Sequence, residues 1–292
     1  MLPNVDLRKM YQYLTVVELN SFTKAAEKLH MAQPALSIAI KKLEEAIGVA
    51  LIERKANSFT VSPAGIEFAK HCRICLNHTE RAVWSARAIA SGGDGALDVA
   101  FVSSAAHTVL PKRIPPFLKN HKNLKINLIE STSRDIMRML LDAKIDIGFL
   151  RGPLEFPEDI EAIDLGRDEF VLMVENTHPL LNCLHVTPEA LCTESFVMYA
   201  ANSPLRNSAL SFCQDNNFTP VIAQEAIEIQ TVAAMVGCGL GVALVPRTVV
   251  PSIGGPVQFL TLDRFSHKMT TGVYMARRKG QGSPLINDFF RI

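Results

Sequence analysis

At 292 residues the chain exceeds one typical hydrophobic core and suffices for two or three compact units. Apolar residues make up 48% and charged residues 20%, a balance that supports a substantial core and excludes wholesale disorder. The formal net charge of +1 hides an asymmetry: residues 1–90 carry 12 Lys and Arg against 8 Asp and Glu, and residues 91–292 carry 18 against 21, which suits a phosphate-binding head on a slightly acidic body.

Met1 to Asp6 has no basic region leading into an apolar run, so no secretory signal is expected. The most apolar stretch, Gly239 to Pro246, is far too short to span a bilayer. A cytoplasmic chain with no membrane partner is the expectation. Its six cysteines (Cys72, Cys75, Cys183, Cys192, Cys213 and Cys238) are then reduced and mostly act as small apolar side chains.

Asp6 is placed to cap a first helix whose Leu7, Met10, Leu14 and Val17 fall on one face. Ser21 suits the N-cap of a second helix carrying Phe22, Ala25, Ala26 and Leu29 at helical spacing. After a break at His30–Ala32, Pro34 opens a third helix, lined by Leu36, Ile40, Leu43 and Ile47 and closed by Gly48. Two short helices, a tight turn and a third helix with polar residues early in its sequence make a helix-turn-helix. Gln33, Ser37, Lys41 and Lys42 lie on the outer face of that third helix. Glutamine reads adenine, serine is a versatile partner, and lysine meets phosphate or guanine. Val49–Arg54 and Phe59–Ser62 read as two short strands around a polar turn, a β-wing, with Arg54 and Lys55 set to meet the DNA backbone or minor groove. The alternative for these residues is a plain three-helix cluster with a solvated basic face.

The run Ser21-Phe22-Thr23-Lys24-Ala25-Ala26-Glu27-Lys28-Leu29-His30, then Gln33-Pro34-Ala35-Leu36-Ser37 and Ile40 to Gly48, closely resembles the winged helix-turn-helix of LysR-type transcriptional regulators. The match continues through Leu51-Ile52-Glu53-Arg54 and Val61-Ser62-Pro63-Ala64-Gly65. The resemblance implies double-stranded DNA as a partner, at a pseudo-palindromic operator. It assigns DNA contacts to Ser21, Thr23, Ala32, Gln33, Pro34, Ser37, Lys41, Arg54 and Lys55. The chain departs from the family at Ala32, where Ser or Thr is usual, at Ile38, where Arg is usual, and at Ile52, where Phe is usual. The first two bear on the preferred base sequence.

Ser62-Pro63 starts a new helix, and no proline or glycine follows between Ile66 and Ser91. Its roughly 28 residues span about 40 Å. Ala69, Cys72, Leu76, Thr79, Val83, Ala86 and Ala90 form a weak heptad stripe. With no nearby core, such a stripe is expected to pair with a second chain, and in the resembling family this helix is the dimerisation linker. Two heads then read half-sites about 34 Å apart. Cys72 and Cys75 have the spacing of a metal or redox pair but lack second-pair partners, so no metal or other cofactor is called.

Ser91-Gly92-Gly93-Asp94-Gly95 reads as a linker. Strands and helices then alternate: strands at Ala96–Val102, Leu124–Glu130, Ile145–Leu150, Phe170–Val174, Phe196–Tyr199, Val221–Gln224, Val242–Val245 and Met269–Met275, and helices at Leu110–Asn120, Arg134–Ala143, Leu205–Cys213, Ile229–Val236 and Pro284–Arg291. Alternation of this kind predicts parallel sheets covered by helices. The resemblance adds a two-lobed effector domain like a periplasmic binding protein. Its first lobe holds about 93–165 and 268–292, and its second about 166–267. The expected class is therefore α/β overall: a winged helix-turn-helix (residues 1–62), a linker helix (63–91) and a two-lobed α/β domain (92–292).

Ligands of open α/β sheets sit beyond the carboxyl ends of strands, against helix N-termini. Ser103 and Ser104, Thr132 and Ser133, and Arg151 fall at such places, with Asn202 and Ser203 as candidates from the second lobe. Hydroxyls, helix N–H groups and one arginine suit a small carboxylate effector. The bland alternative is that these are ordinary helix caps and that Arg151 pairs with an acid. Gly237-x-Gly239-x-Gly241 has the helix before and the strand after, the reverse of a dinucleotide fingerprint, and reads as tight helix-to-strand packing.

Two rival functions remain at this point. A peroxide-sensing relative would have a reactive cysteine before Leu205-Arg206, where this chain has Pro204, with Cys213 downstream. An enzyme would need a nucleophile elbow, phosphate loop or zinc pair, and none is found. The resemblance further implies a homodimer or homotetramer and contact with RNA polymerase.

Overall fold

The computed structural model describes residues 5–54, 58–90, 94–201, 203–262, 265, 270–280 and 283–291. These form two compact units, one from the chain up to Ala90 with Asp142–Lys144, the other from the remainder.

In the first unit, helix α1 (Leu7–Leu19) begins at Asp6, whose carboxylate accepts the Lys9 N–H at 2.8 Å. Ser21 caps α2 (Phe22–Lys28) by accepting the Lys24 N–H at 3.3 Å. Helix α3 (Gln33–Ile47) carries Pro34 in its first turn and stops at Gly48, whose φ of 78° is the left-handed geometry that glycine adopts at no steric cost. Ala32 at its N-cap supplies no side-chain bond. The Glu44 carboxylate at the far end of α3 accepts the Leu51 and Ile52 N–H groups at 2.8 and 2.9 Å. It thereby sets the start of a hairpin of β1 (Ile52–Arg54) and β2 (Phe59–Val61), paired antiparallel with Ile52 opposite Val61.

Ser62 joins this hairpin to α4 (Pro63–Ala90): its hydroxyl donates to the Ala50 carbonyl at 2.8 Å and accepts the Gly65 N–H at 3.0 Å. Any side chain at Gly65 would collide with the Leu51 carbonyl oxygen and the Tyr13 hydroxyl. Tyr13, Leu36, Ile40, Leu43 and Leu51 are fully or almost fully buried in one core. Leu7, expected on the buried face of α1, is exposed.

The linker stripe needs a correction. Ala69 and Cys72 are buried in the head's own core, and Leu76 packs against it. These positions satisfy their apolar surface within the chain. The outer half of α4 keeps Thr79, Val83, Ala86 and Ala90 exposed, with Val83 at 45%.

Among its described residues the second unit has a seven-stranded mixed sheet and a two-stranded parallel sheet, where alternation predicted parallel sheets throughout. Strands β3 (Ala96–Phe101), β4 (Lys125–Glu130) and β5 (Ile147–Arg151) run parallel, as do β7 (Ser195–Tyr199) and β8 (Val221–Ala226). The larger sheet continues from β5 through β11 (Thr270–Arg278) to β6 (Ile160–Glu175), and these pair antiparallel. The sixteen residues of β6 serve both lobes: those up to Glu169 pair with β11, and from Phe170 onward they pair with β9 (Ala243–Pro246) and β10 (Val257–Leu260). A strand shared between sheets carries no local signal of the change, so its first half and all of β10 escape a sequence reading.

Helices cover both lobes. Phe117 of α6 (Leu110–Asn120) meets Phe289 of α11 (Pro284–Arg291) edge-on at 4.9 Å, an arrangement contributing about 0.5–1.5 kcal/mol beyond the area it buries. On the other face, α7 (Ser133–Leu141) presses on β5 where a side chain at Gly148 would meet Ile136 and Leu140. Helix α5 (Ser103–Thr108) precedes α6 where a single helix was expected. The second lobe buries Phe196, Val232, Val236 and Leu244 against α9 (Pro204–Asp215) and α10 (Ile229–Gly237). Gly241, at φ 144°, brings the chain against the Ser195 carbonyl and starts β9, so the glycine run is helix-to-strand packing.

Candidate functional site

A cavity of about 70 Å³ lies at the carboxyl ends of the parallel strands of both lobes, where α5, α7, α9 and α10 begin. Val102, Ser103 and Ser104 line it after β3, and Ser131, Thr132 and Ser133 after β4. Arg151 ends β5, while Tyr199 to Leu205 and Ile227 to Ile229 contribute from the second lobe. Ser103, Ser104, Thr132, Ser133, Arg151 and Ser203, all singled out from the sequence, meet here. Asn202 lies outside the described residues.

These residues have different jobs. Arg151 is 2% exposed. Its Nε donates to Ser104 Oγ at 2.9 Å and its Nη1 to Asp168 Oδ2 at 2.9 Å. Ser133 accepts the Arg151 N–H and donates to its carbonyl oxygen, each at 3.1 Å, so it locks the strand end on which the guanidinium is mounted. Asp168 also accepts from the amide and hydroxyl of Thr248. Burial pulls the Arg151 pKa below its ordinary value, and the Asp168 carboxylate opposes that shift by favouring the charged form. Thr132 is engaged in capping, exchanging bonds with the Asp135 amide at 3.2 Å and carboxylate at 3.0 Å.

Two polar groups lining the cavity have no hydrogen-bond partner among the described residues: Arg151 Nη2 and the Tyr199 hydroxyl. Burial raises the Tyr199 pKa, keeping the phenol protonated and able to donate. Leaving two buried donors unmet costs about 1–3 kcal/mol each. Tyr199, Asp168, Thr248 and Glu228 were missed from the sequence. Tyr199 alone had a usable signal, since it ends a parallel strand as Arg151 does.

In the first unit, Thr23, Ala32, Gln33, Pro34 and Lys41 are exposed and Ser37 is half-buried. Gln33, Ser37 and Lys41 recur every fourth residue along α3, forming one edge. Ser21 is used as the α2 cap, and Lys41 lies 3.9 Å from Glu45. Ile38 is 56% exposed on the same helix, a large apolar group with nothing to cover it among the described residues. The Arg54 side chain and Lys55 lie outside the described residues.

Comparison with known proteins decides the family. Residues 7–66 match the family described as "Bacterial regulatory helix-turn-helix protein, lysR family", and residues 90–292 match the "LysR substrate binding domain". The chain belongs to the LysR family of transcriptional regulators. It is 33% identical over 290 residues to the HTH-type transcriptional regulator AlsR of Bacillus subtilis, covering 99% of this chain and 95% of that one. It is 30% identical over 294 residues to the Hca operon transcriptional activator HcaR of Escherichia coli, covering 99% and 97%. Among solved structures, full-length BenM is 27% identical with a TM-score of 0.58, covering 98% of this chain and 95% of that one. CbnR, a LysR family regulator at 21% identity and TM-score 0.67 (98% and 97% covered), shares the fold.

As a LysR-type regulator the protein pairs a DNA-binding helix-turn-helix with a domain for a small-molecule effector, and its family and relatives are regulators rather than enzymes. Among the described residues no helix is long and apolar enough to cross a membrane. The thiol-sensing variant of such a regulator finds no support in the chemistry of its cysteines. Pro204 opens α9 where the reactive thiol would stand, and Cys213 is fully buried, its pKa pushed up to about 12 by desolvation. A thiol that stays protonated at neutral pH is a poor nucleophile.

Proposed function

We propose that this LysR-type regulator senses a short carboxylate held in the cleft between its two lobes. The observation carrying the reading is the pair of unmet buried donors, Arg151 Nη2 and the Tyr199 hydroxyl, at a cavity where helices α7, α9 and α10 begin. Helix N-termini favour anions, and the hydroxyls of Ser103 and Ser203 add further donors. At about 70 Å³ the cavity is smaller than the ~150 Å³ that takes up benzene, so a short aliphatic acid fills it without further opening.

On this reading residues 1–62 contact DNA, 63–91 link and dimerise, and 92–292 bind the effector. Gln33 and Ser37 read bases in the major groove, Lys41, Arg54 and Lys55 hold phosphates or the minor groove, and Ser21, Thr23, Ala32 and Pro34 seat the backbone. The exposed outer half of α4 pairs two chains on a pseudo-palindromic operator. Two such dimers form a tetramer whose rearrangement changes DNA bending and contact with RNA polymerase. The protein acts in the cytoplasm. Effector control requires different effector affinities in the two conformations.

The test is thermal unfolding of the full chain with a library of small carboxylates. A ligand at about 100 times its Kd adds about 2.7 kcal/mol, or about 5–10 °C. A shift that disappears in Tyr199→Phe supports the cleft. A shift unchanged in Tyr199→Phe and Ser203→Ala places the ligand elsewhere and refutes it.

A further inference from the structure

The charges around the cleft limit the class of acid further. Among the described residues the only basic side chain lining it is Arg151, and that cation is already matched by Asp168 at 2.9 Å, each side chain being 3% exposed. Besides Arg151 and the protonated phenol of Tyr199, the ionisable group on the described lining is an acid, Glu228. It stands at the N-cap of α10 but makes no capping bond there, and among the described residues its side chain makes no hydrogen bond or ion pair. Arg151, Asp168 and Glu228 together leave one negative charge in excess. Opposing it are the partial positive charges of the first turns of α7, α9 and α10, helices of nine, twelve and nine residues, and the unmet donors Arg151 Nη2 and Tyr199 Oη.

From this we infer that Glu228 is a charge filter: the cleft admits a monocarboxylate bearing a hydroxyl and rejects dicarboxylates. This rests on the cleft reading above. The single carboxylate meets Arg151 Nη2, the Tyr199 hydroxyl and the α7 N-terminus. The far end of the ligand faces Glu228, a carboxylate that accepts a hydrogen bond from a hydroxyl and repels a second anion. A cleft for dianions needs a second uncommitted cation, and Arg151 supplies none.

The test is isothermal titration of the full-length regulator and its Glu228→Gln variant with acids matched in length: propionate, lactate and 3-hydroxybutyrate against malonate and succinate. In the parent, hydroxy-monocarboxylates bind about tenfold tighter than dicarboxylates of the same length, a like-charge penalty of the size expected at a partly screened rim. Glu228→Gln reduces that ratio to about threefold or less, chiefly by improving the dicarboxylates, while its melting temperature stays that of the parent. The ratio in the parent also shrinks as salt is raised from 0.05 to 0.5 M, because the charge is exposed. A parent that binds malonate as well as lactate and succinate as well as 3-hydroxybutyrate, or a ratio that Glu228→Gln leaves unchanged, overturns the filter while leaving the carboxylate cleft standing. No heat with any acid of either charge overturns both.

Discussion

Replacing Asp168 by Ala leaves the Arg151 guanidinium charged in a site where its side chain is 3% exposed. Breaking a buried pair from one side costs about 3–5 kcal/mol, and Thr248 loses its amide and hydroxyl acceptor as well. Removing both charges together, Arg151→Met with Asp168→Leu, leaves no orphaned ion. Only the hydroxyl of Ser104 and the two groups of Thr248 lose partners, so the double variant is expected within about 2 kcal/mol of the parent. At about 2–4 °C per kcal/mol for a unit of this size, the single variant melts about 6–20 °C lower. The assay is thermal unfolding followed by far-ultraviolet circular dichroism and, separately, by fluorescence of the one tryptophan, Trp84. Trp84 lies on α4 in the first unit, so it reports on that unit and its transition stays in place. The loss persists in 1 M salt, because buried charges are screened little. A single variant within about 2 °C of the parent, or a double variant as damaged as the single, would refute the claim that this pair is dry and that its cation is committed.

Gly65→Ala forces a methyl against the Leu51 carbonyl and the Tyr13 hydroxyl; it lowers the stability reported by Trp84 by about 1–3 kcal/mol and leaves effector binding intact. Gln33→Ala lowers affinity for the operator more than for random DNA, whereas Arg54→Ala weakens both alike and reduces the salt slope by about 1; equal losses for Gln33→Ala on the two DNAs would sink the base-reading role. Ile38 is 56% exposed on α3; if the proposed docking sets it on a thymine methyl in the groove, uracil in place of that thymine costs about 0.8 kcal/mol in the parent and nothing in Ile38→Ala. Cys213 resists iodoacetamide at pH 8 until the protein is unfolded; its thiol ionises from about 9 when unfolded but only near 12 when folded, so its contribution to stability is lost as pH rises above about 9.

The head was legible almost residue by residue because its signals are local. Asp6, Ser21, Pro34 and Gly48 each act within one helical turn, and each sits where that chemistry puts it. The strands of the second unit were legible as apolar runs, as was the placement of Ser104, Ser133 and Arg151 at strand and helix ends. Pairing direction was not. Antiparallel partners for β5 and β6 come from β11, more than a hundred residues later, and no local pattern encodes that choice. For the same reason the commitment of Arg151 to Asp168 could not be read. The acid lies in the half of β6 that looks polar along the chain and is buried only once β11 and the segment carrying Thr248 close over it. The stripe on α4 misled because heptad spacing cannot tell a partner chain from the chain's own core. Cys72 is buried against Tyr13 and its neighbours, and only the outer positions stay exposed.

The position of the ion pair bears on how an effector could act. Asp168 stands opposite Thr271 of β11, two residues before β6 passes from β11 to β9, where Phe170 faces Pro246. Thr248, just beyond the end of β9, holds the same carboxylate, while Arg151 comes from β5 and is steadied by Ser104 of α5. One buried carboxylate therefore ties both lobes at the point where the shared strand changes sheets. Breaking that tie costs about 3–5 kcal/mol, comparable to the whole stabilisation a ligand delivers at 1,000 times its Kd, about 4.1 kcal/mol. If the proposed effector closes the lobes, that cost favours closure with the pair intact, and the energy for switching is the difference in affinity between the two conformations. The two unmet donors, Arg151 Nη2 and the Tyr199 hydroxyl, are buried without partners beside that tie, so the proposed ligand's oxygen would gain most by pairing with them.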